Sequence, residues 1–135
     1  MNKVLDRYND WRLKELDYDF KRIFVYVSVI YLLSLLFDFC LTFITFHFTP
    51  DRFFLNEISF VVKDVFNGSY LFFIVIVVLS MSPLIVGYGL NVYVEKKHGR
   101  QINDLKYVLF FINCVSVIHV WGGFTNFFHL ISLEV

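Results

Sequence analysis

Asp38 and His119 each stand in a long apolar stretch, residues 23–47 and 107–131, in a chain of 135 residues that is 58% hydrophobic. An ionised carboxylate in hydrocarbon costs at least about 3 kcal/mol unless it is paired or hydrated. Asp38 therefore calls for a partner or water. An imidazole titrates near neutral pH and ligates metals, so a carboxylate facing one could handle a proton or hold a cation. The plainer alternative is a hydrogen bond that fixes two helices in register. At 100° per residue, Tyr31, Ser34, Asp38, Thr42 and Thr45 fall within about 40° of one direction. In the third stretch Ser116, His119, Gly122, Gly123 and Asn126 share a face, and His119 is expected within about 5 Å of the depth of Asp38. Ser80 falls in the same layer on the second stretch, beside Pro83, Gly87 and Asn91, residues that let backbones approach or free a carbonyl. The expected polar layer is thus Asp38, Thr42, Ser80, His119 and Asn126.

Glu57, in the connection after the first stretch, would add a third donor. Asp38, Glu57 and His119 form a carboxylate and imidazole set suited to a divalent cation such as zinc, with Asp64 and His129 as further candidates. His47 lies about 180° from Asp38 on its helix and reads as interfacial. No HExxH, GxSxG, P-loop or dinucleotide fingerprint occurs, so the case for an enzyme rests on geometry alone. Cys40 and Cys114 belong to no metal-spaced pair and should differ in depth by roughly 15 Å, too far for a disulfide. Both read as small apolar side chains.

These residues need elements to hold them. Ordinary soluble chains are roughly 45–50% apolar, so the composition points to a membrane. Three stretches, 23–47, 70–94 and 107–131, exceed the roughly 20 residues that cross a bilayer. With 18 Phe and no alanine, close helix contacts fall to Gly, Ser and Thr. No cleavable leader is expected, and the first stretch should persist as an anchor. Lys3, Arg7, Arg12, Lys14, Lys21 and Arg22 precede the first stretch, and Lys96, Lys97, Arg100 and Lys106 follow the second. Only Arg52 and Lys63 lie in the other connection. The rule that basic loops stay inside puts the N-terminus and the 95–106 loop in the cytoplasm and the C-terminus outside the cell membrane. The formal net charge of zero gives no field that would draw nucleic acid.

The segment 1–22 reads as an amphipathic juxtamembrane helix, with Val4, Tyr8 and Trp11 on one side and Asp10/Lys14 and Asp17/Lys21 as i,i+4 pairs. His98-Gly99 suits a helix C-terminal cap and turn. Between spans one and two, Thr49 and Pro50 start and Asn67-Gly68 stop a short helix over 50–67. Phe54, Ile58, Val61 and Val65 line its apolar face, opposite Arg52, Asn56, Ser59 and Lys63. Glu57 and Asp64 share its flank with Phe53 and Phe60, where they could point toward the spans. The expected fold is a single all-α membrane domain of three transmembrane helices, with this interfacial helix and the juxtamembrane one.

Asp38-Phe-Cys-Leu-Thr42, followed at a short interval by Glu57, resembles a family of small prokaryotic membrane proteins of unknown function. That family is marked by Asp-x-x-x-Thr in its first span and Glu-x-Asn-Pro after it. The resemblance covers about a quarter of the chain, and Ser59-Phe60 stands where the family has Asn-Pro. It implies no activity, but it singles out Asp38, Thr42 and Glu57. The leading functional expectation is a site, open to the outer side, that binds a cation or small polar ligand. One alternative is an accessory or structural subunit of a larger membrane complex, or a homo-oligomer. The other is a metal-dependent intramembrane hydrolase, which would need an open coordination position.

Overall fold

The computed structural model describes residues 2–48 and 71–132. The helix expected over 50–67, with Glu57 and Asp64, lies outside the described residues. Five helices are seen: α1 (Asn2–Leu13), α2 (Phe20–Phe48), α3 (Leu71–Ser80), α4 (Ser82–His98) and α5 (Leu105–Ile131). Among the described residues, three stretches are long and apolar enough to cross a bilayer: Phe20–Thr45 with 26 residues, Ile74–His98 with 25 and Leu105–Ile131 with 27. That is compatible with a multi-pass membrane protein. The second stretch is interrupted only at Met81, two residues before Pro83. The Met81 N–H is shared between the carbonyls of Val77 and Val78, at 3.2 Å each, as expected where a proline ring disturbs the preceding turn.

Helix ends differ from the sequence expectation, and capping accounts for it. Asp19 accepts the Lys21 N–H at 3.0 Å, and the Phe20 N–H donates to Gln101 Oε1 at 2.8 Å. Two of the orphan donors at the start of α2 are thereby satisfied, and the helix begins at Phe20 rather than after Arg22. Helix α4 runs on through Glu95 until Gly99, whose φ of 66° lets its N–H reach Glu95 O at 2.8 Å. Only Gly adopts that conformation at little cost.

Helix α1 stops at Leu13 instead of continuing to Arg22. The Leu16 N–H donates to Gln101 O, and the Asn103 N–H to Lys14 O, both at 3.0 Å, making an isolated antiparallel bridge between Glu15 and Ile102. These bonds take the backbone of 14–16 out of any helix while burying Leu16 and Ile102. The expected i,i+4 pairs give way with it. Lys21 pairs with Glu95 at 3.0 Å, Lys106 with Asp17 at 3.5 Å, and Arg12 grips Asp104 through two nitrogens at 2.8 and 2.7 Å. The hydrogen bonds that Arg12 donates to Asp104, and then the charge of that carboxylate, raise the Arg12 pKa above its usual value.

The chain divides into two compact units. The first comprises Met1–Tyr31 and Pro83–Val115. Its core is Leu16, Phe20, Val27, Tyr31, Ile102, Leu105, Leu109 and Ile112. Gly87 is enclosed within it. A Cβ there would lie 2.9 Å from Phe24 Cε2, 3.0 Å from Val108 Cγ1 and 3.3 Å from Ile112 Cδ1. Gly87→Leu is therefore expected to cost about 1–3 kcal/mol by overpacking, read as a lower unfolding midpoint in a detergent titration. An unchanged midpoint would mean that this contact is looser than described.

The second unit comprises Leu32–Ser82 and Ser116–Val135. There Ser34, Leu35, Thr45, Ser116 and Asn126 are buried, while Phe37 meets Phe124 edge-on with ring centroids 5.4 Å apart. A buried layer so rich in polar side chains needs internal hydrogen bonds to be tolerated.

Candidate functional site

The face of α2 expected to be polar is the face it buries. Tyr31, Ser34 and Thr45 are buried, and Asp38 and Thr42 are half-buried. Leu32, Leu33, Leu36 and Phe37 on the other sides are exposed, as befits a span whose apolar flanks face lipid. On α5 the corresponding residues are Ser116, Gly123 and Asn126, all buried, with His119 and Gly122 half-buried. The second unit brings the two faces together.

At the centre His119 Nδ1 lies 2.7 Å from Asp38 Oδ2, with side-chain exposures of 14% and 16%. The other carboxylate oxygen, Oδ1, accepts from Thr42 Oγ1 at 3.3 Å. Thr42 is one turn further along α2, so this bond is the i,i+4 contact that helical geometry provides. Asn126 Nδ2 donates in turn to Thr42 Oγ1 at 2.8 Å. A continuous chain of hydrogen bonds thus runs Asn126, Thr42, Asp38, His119, with two members from each helix. The Phe39 ring flanks the imidazole at a centroid distance of 6.1 Å.

Two glycines on α5 allow this approach. A Cβ on Gly122 would lie 2.9 Å from Asp38 Oδ1 and 3.2 Å from both Cγ and Oδ2. One on Gly123 would collide with the Phe37 ring. The absence of side chains at 122–123 is what lets the carboxylate lie against the α5 backbone while still reaching His119.

The other candidates are placed as follows. Ser80 is half-buried at the end of α3. His47 is exposed and stacks on Phe43 at 6.5 Å, in keeping with its assignment to the far side of α2. His129 is half-exposed near the end of α5. Glu57 and Asp64 lie outside the described residues. Among the described residues no three His, Cys, Asp or Glu side chains converge on a metal position. Cys40 and Cys114 are exposed free thiols.

Beside an ionised carboxylate, a neutral imidazole carries its proton on Nδ1 and its lone pair on Nε2. Such a dyad can take up a proton on the imidazole, with the carboxylate stabilising the resulting charge, or offer Nε2 to a cation. Comparison with protein-family models, curated proteins and solved structures gave no match for this chain. The functional reading therefore stands on this geometry.

Proposed function

We propose that the chain is a multi-pass cell-membrane protein, with its N-terminus in the cytoplasm and its C-terminus outside, that binds a small cation at the Asp38 and His119 pair. The observation that carries this reading is the 2.7 Å contact between two ionisable side chains in helices whose other faces are apolar. Ionisable residues within a span are costly, and those retained there commonly serve ion or proton pathways. The positive-inside distribution of Lys and Arg supports the orientation, and the polar layer then lies nearer the outer surface, from which the cation would enter. For a divalent ion such as zinc, Asp38 and His119 supply two ligands, and Glu57 is the third that the sequence offers. The kinship suggested by Asp38, Thr42 and Glu57 belongs to the same proposal.

Elemental analysis of detergent-purified protein, dialysed against a weak chelator, tests the divalent form. Near-stoichiometric metal is expected in the wild type and its loss in both His119→Ala and Asp38→Asn. A folded wild type without metal would sink that form and leave the proton. The proton form expects the ¹⁵N shifts of His119 to titrate differently in Asp38→Asn, and identical titrations would sink it too.

A further inference from the structure

The carboxamides within the apolar spans are mostly enclosed. Asn91 is 1% exposed and Asn126 is 7% exposed. Asn113, on α5 in the first unit, is different, because its residue is exposed. Its Nδ2 donates to the Leu109 carbonyl at 3.0 Å, which uses one of its two N–H groups. The other N–H and the Oδ1 acceptor have no further partner among the described residues. Asn113 follows the start of α5 by eight residues, about 12 Å along the axis, which places it well inside a hydrocarbon layer about 30 Å thick. Lipid chains offer nothing to bond, and an amide left unpaired there is costly.

The chemistry of the group selects what covers it. A carboxamide carries a donor and an acceptor side by side, so it is its own complement. Two such groups related by a two-fold axis exchange N–H···O=C bonds in both directions, as an isologous interface requires. Phe110, one turn earlier on the same helix and 69% exposed, supplies apolar surface beside it. Polar side chains of this kind hold spans together in a bilayer, where apolar contact alone gives no preference over lipid. We propose that Asn113 marks an interface with a second copy of this chain, the two Asn113 carboxamides pairing across the axis. The proposal rests on the reading of α5 as a membrane span.

Cys114, exposed and adjacent in sequence, reports on this interface. Membranes bearing the full chain are first washed with alkaline carbonate. Release of the protein would sink the membrane reading itself, and this interface with it. Retained protein is then oxidised with copper phenanthroline. A product of twice the monomer mass is expected from the wild type and from Cys40→Ser, but not from Cys114→Ser. In Asn113→Leu, with helix content unchanged by circular dichroism, energy transfer between labelled copies in vesicles should report a dimer about three- to tenfold weaker. A wild type that stays monomeric by both methods, or an equally strong dimer in Asn113→Leu, would overturn the proposal. A cross-linked product of any other mass would do so as well, by giving the face to a different protein.

Discussion

Replacing His119 by leucine is expected to cost about 3 kcal/mol of stability, and replacing Asp38 by leucine in the same chain is expected to return most of it. The single change leaves a carboxylate that is only 16% exposed, with Thr42 as its remaining partner. The double change removes both desolvation penalties and puts apolar volume where the dyad stood. Replacing a buried pair by hydrophobic residues of similar size is often neutral or better, whereas breaking one is strongly unfavourable. Reversible unfolding in mixed detergents would measure all four members of the cycle. If the double variant were as unstable as His119→Leu alone, the dyad would be a net structural element, and the argument for a binding role would weaken. A double variant that folds well but binds no cation would show that the pair serves something other than the fold.

Gly122→Ala is expected to abolish cation binding as fully as Asp38→Asn, although it removes no donor atom, and to destabilise the protein by about 1–3 kcal/mol. The added methyl would stand 2.9 Å from Asp38 Oδ1. The carboxylate cannot simply turn away, because its two oxygens are bonded to Thr42 and His119. Something must break, and the weakest element is the hydrogen-bonded geometry of the site. The neighbouring change gives a control. At Gly123 the first obstacle is the Phe37 ring, a partly exposed side chain that is no part of the hydrogen-bonded dyad, so Gly123→Ala should keep its cation. Elemental analysis of the two variants beside the wild type checks this, and full metal occupancy in Gly122→Ala would refute it.

The dyad was legible in the sequence because helical periodicity alone determines which residues of a span share a face. Once Asp38, Thr42, His119 and Asn126 were placed on faces and at depths, few partners remained for the carboxylate. The three spans were legible for a similar reason, since apolar length needs no knowledge of contacts. The charged connections were not. Asp17 and Lys21 have ideal helical spacing, but pairs at that spacing contribute only about 0.2–0.5 kcal/mol, too little to hold 14–19 in a helix against the burial of Leu16 and Phe20. Gln101 shows the same limit. Its amide bonds the Phe20 N–H and, at 2.9 Å, Glu95, a role set by residues distant in sequence. The exposure of Asn113 is not legible in the sequence either, because it depends on where the neighbouring helices lie.

The hydrogen bonds around Thr42 carry one more implication. A hydroxyl has a single hydrogen, and Thr42 gives it to Asp38 while receiving one from Asn126. With Nδ1 of the imidazole also facing the carboxylate, both oxygens of Asp38 are engaged, and Asn126 holds the hydroxyl that engages one of them. The arrangement has a direction, running from Asn126 through Thr42 to Asp38. The contact between Nδ1 and Oδ2 can carry its proton on either atom. The wiring therefore ties the Asn126 carboxamide on α5 to the position of the carboxylate on α2, so a change at Asn126 would be felt at the dyad although Asn126 bonds to neither member of it.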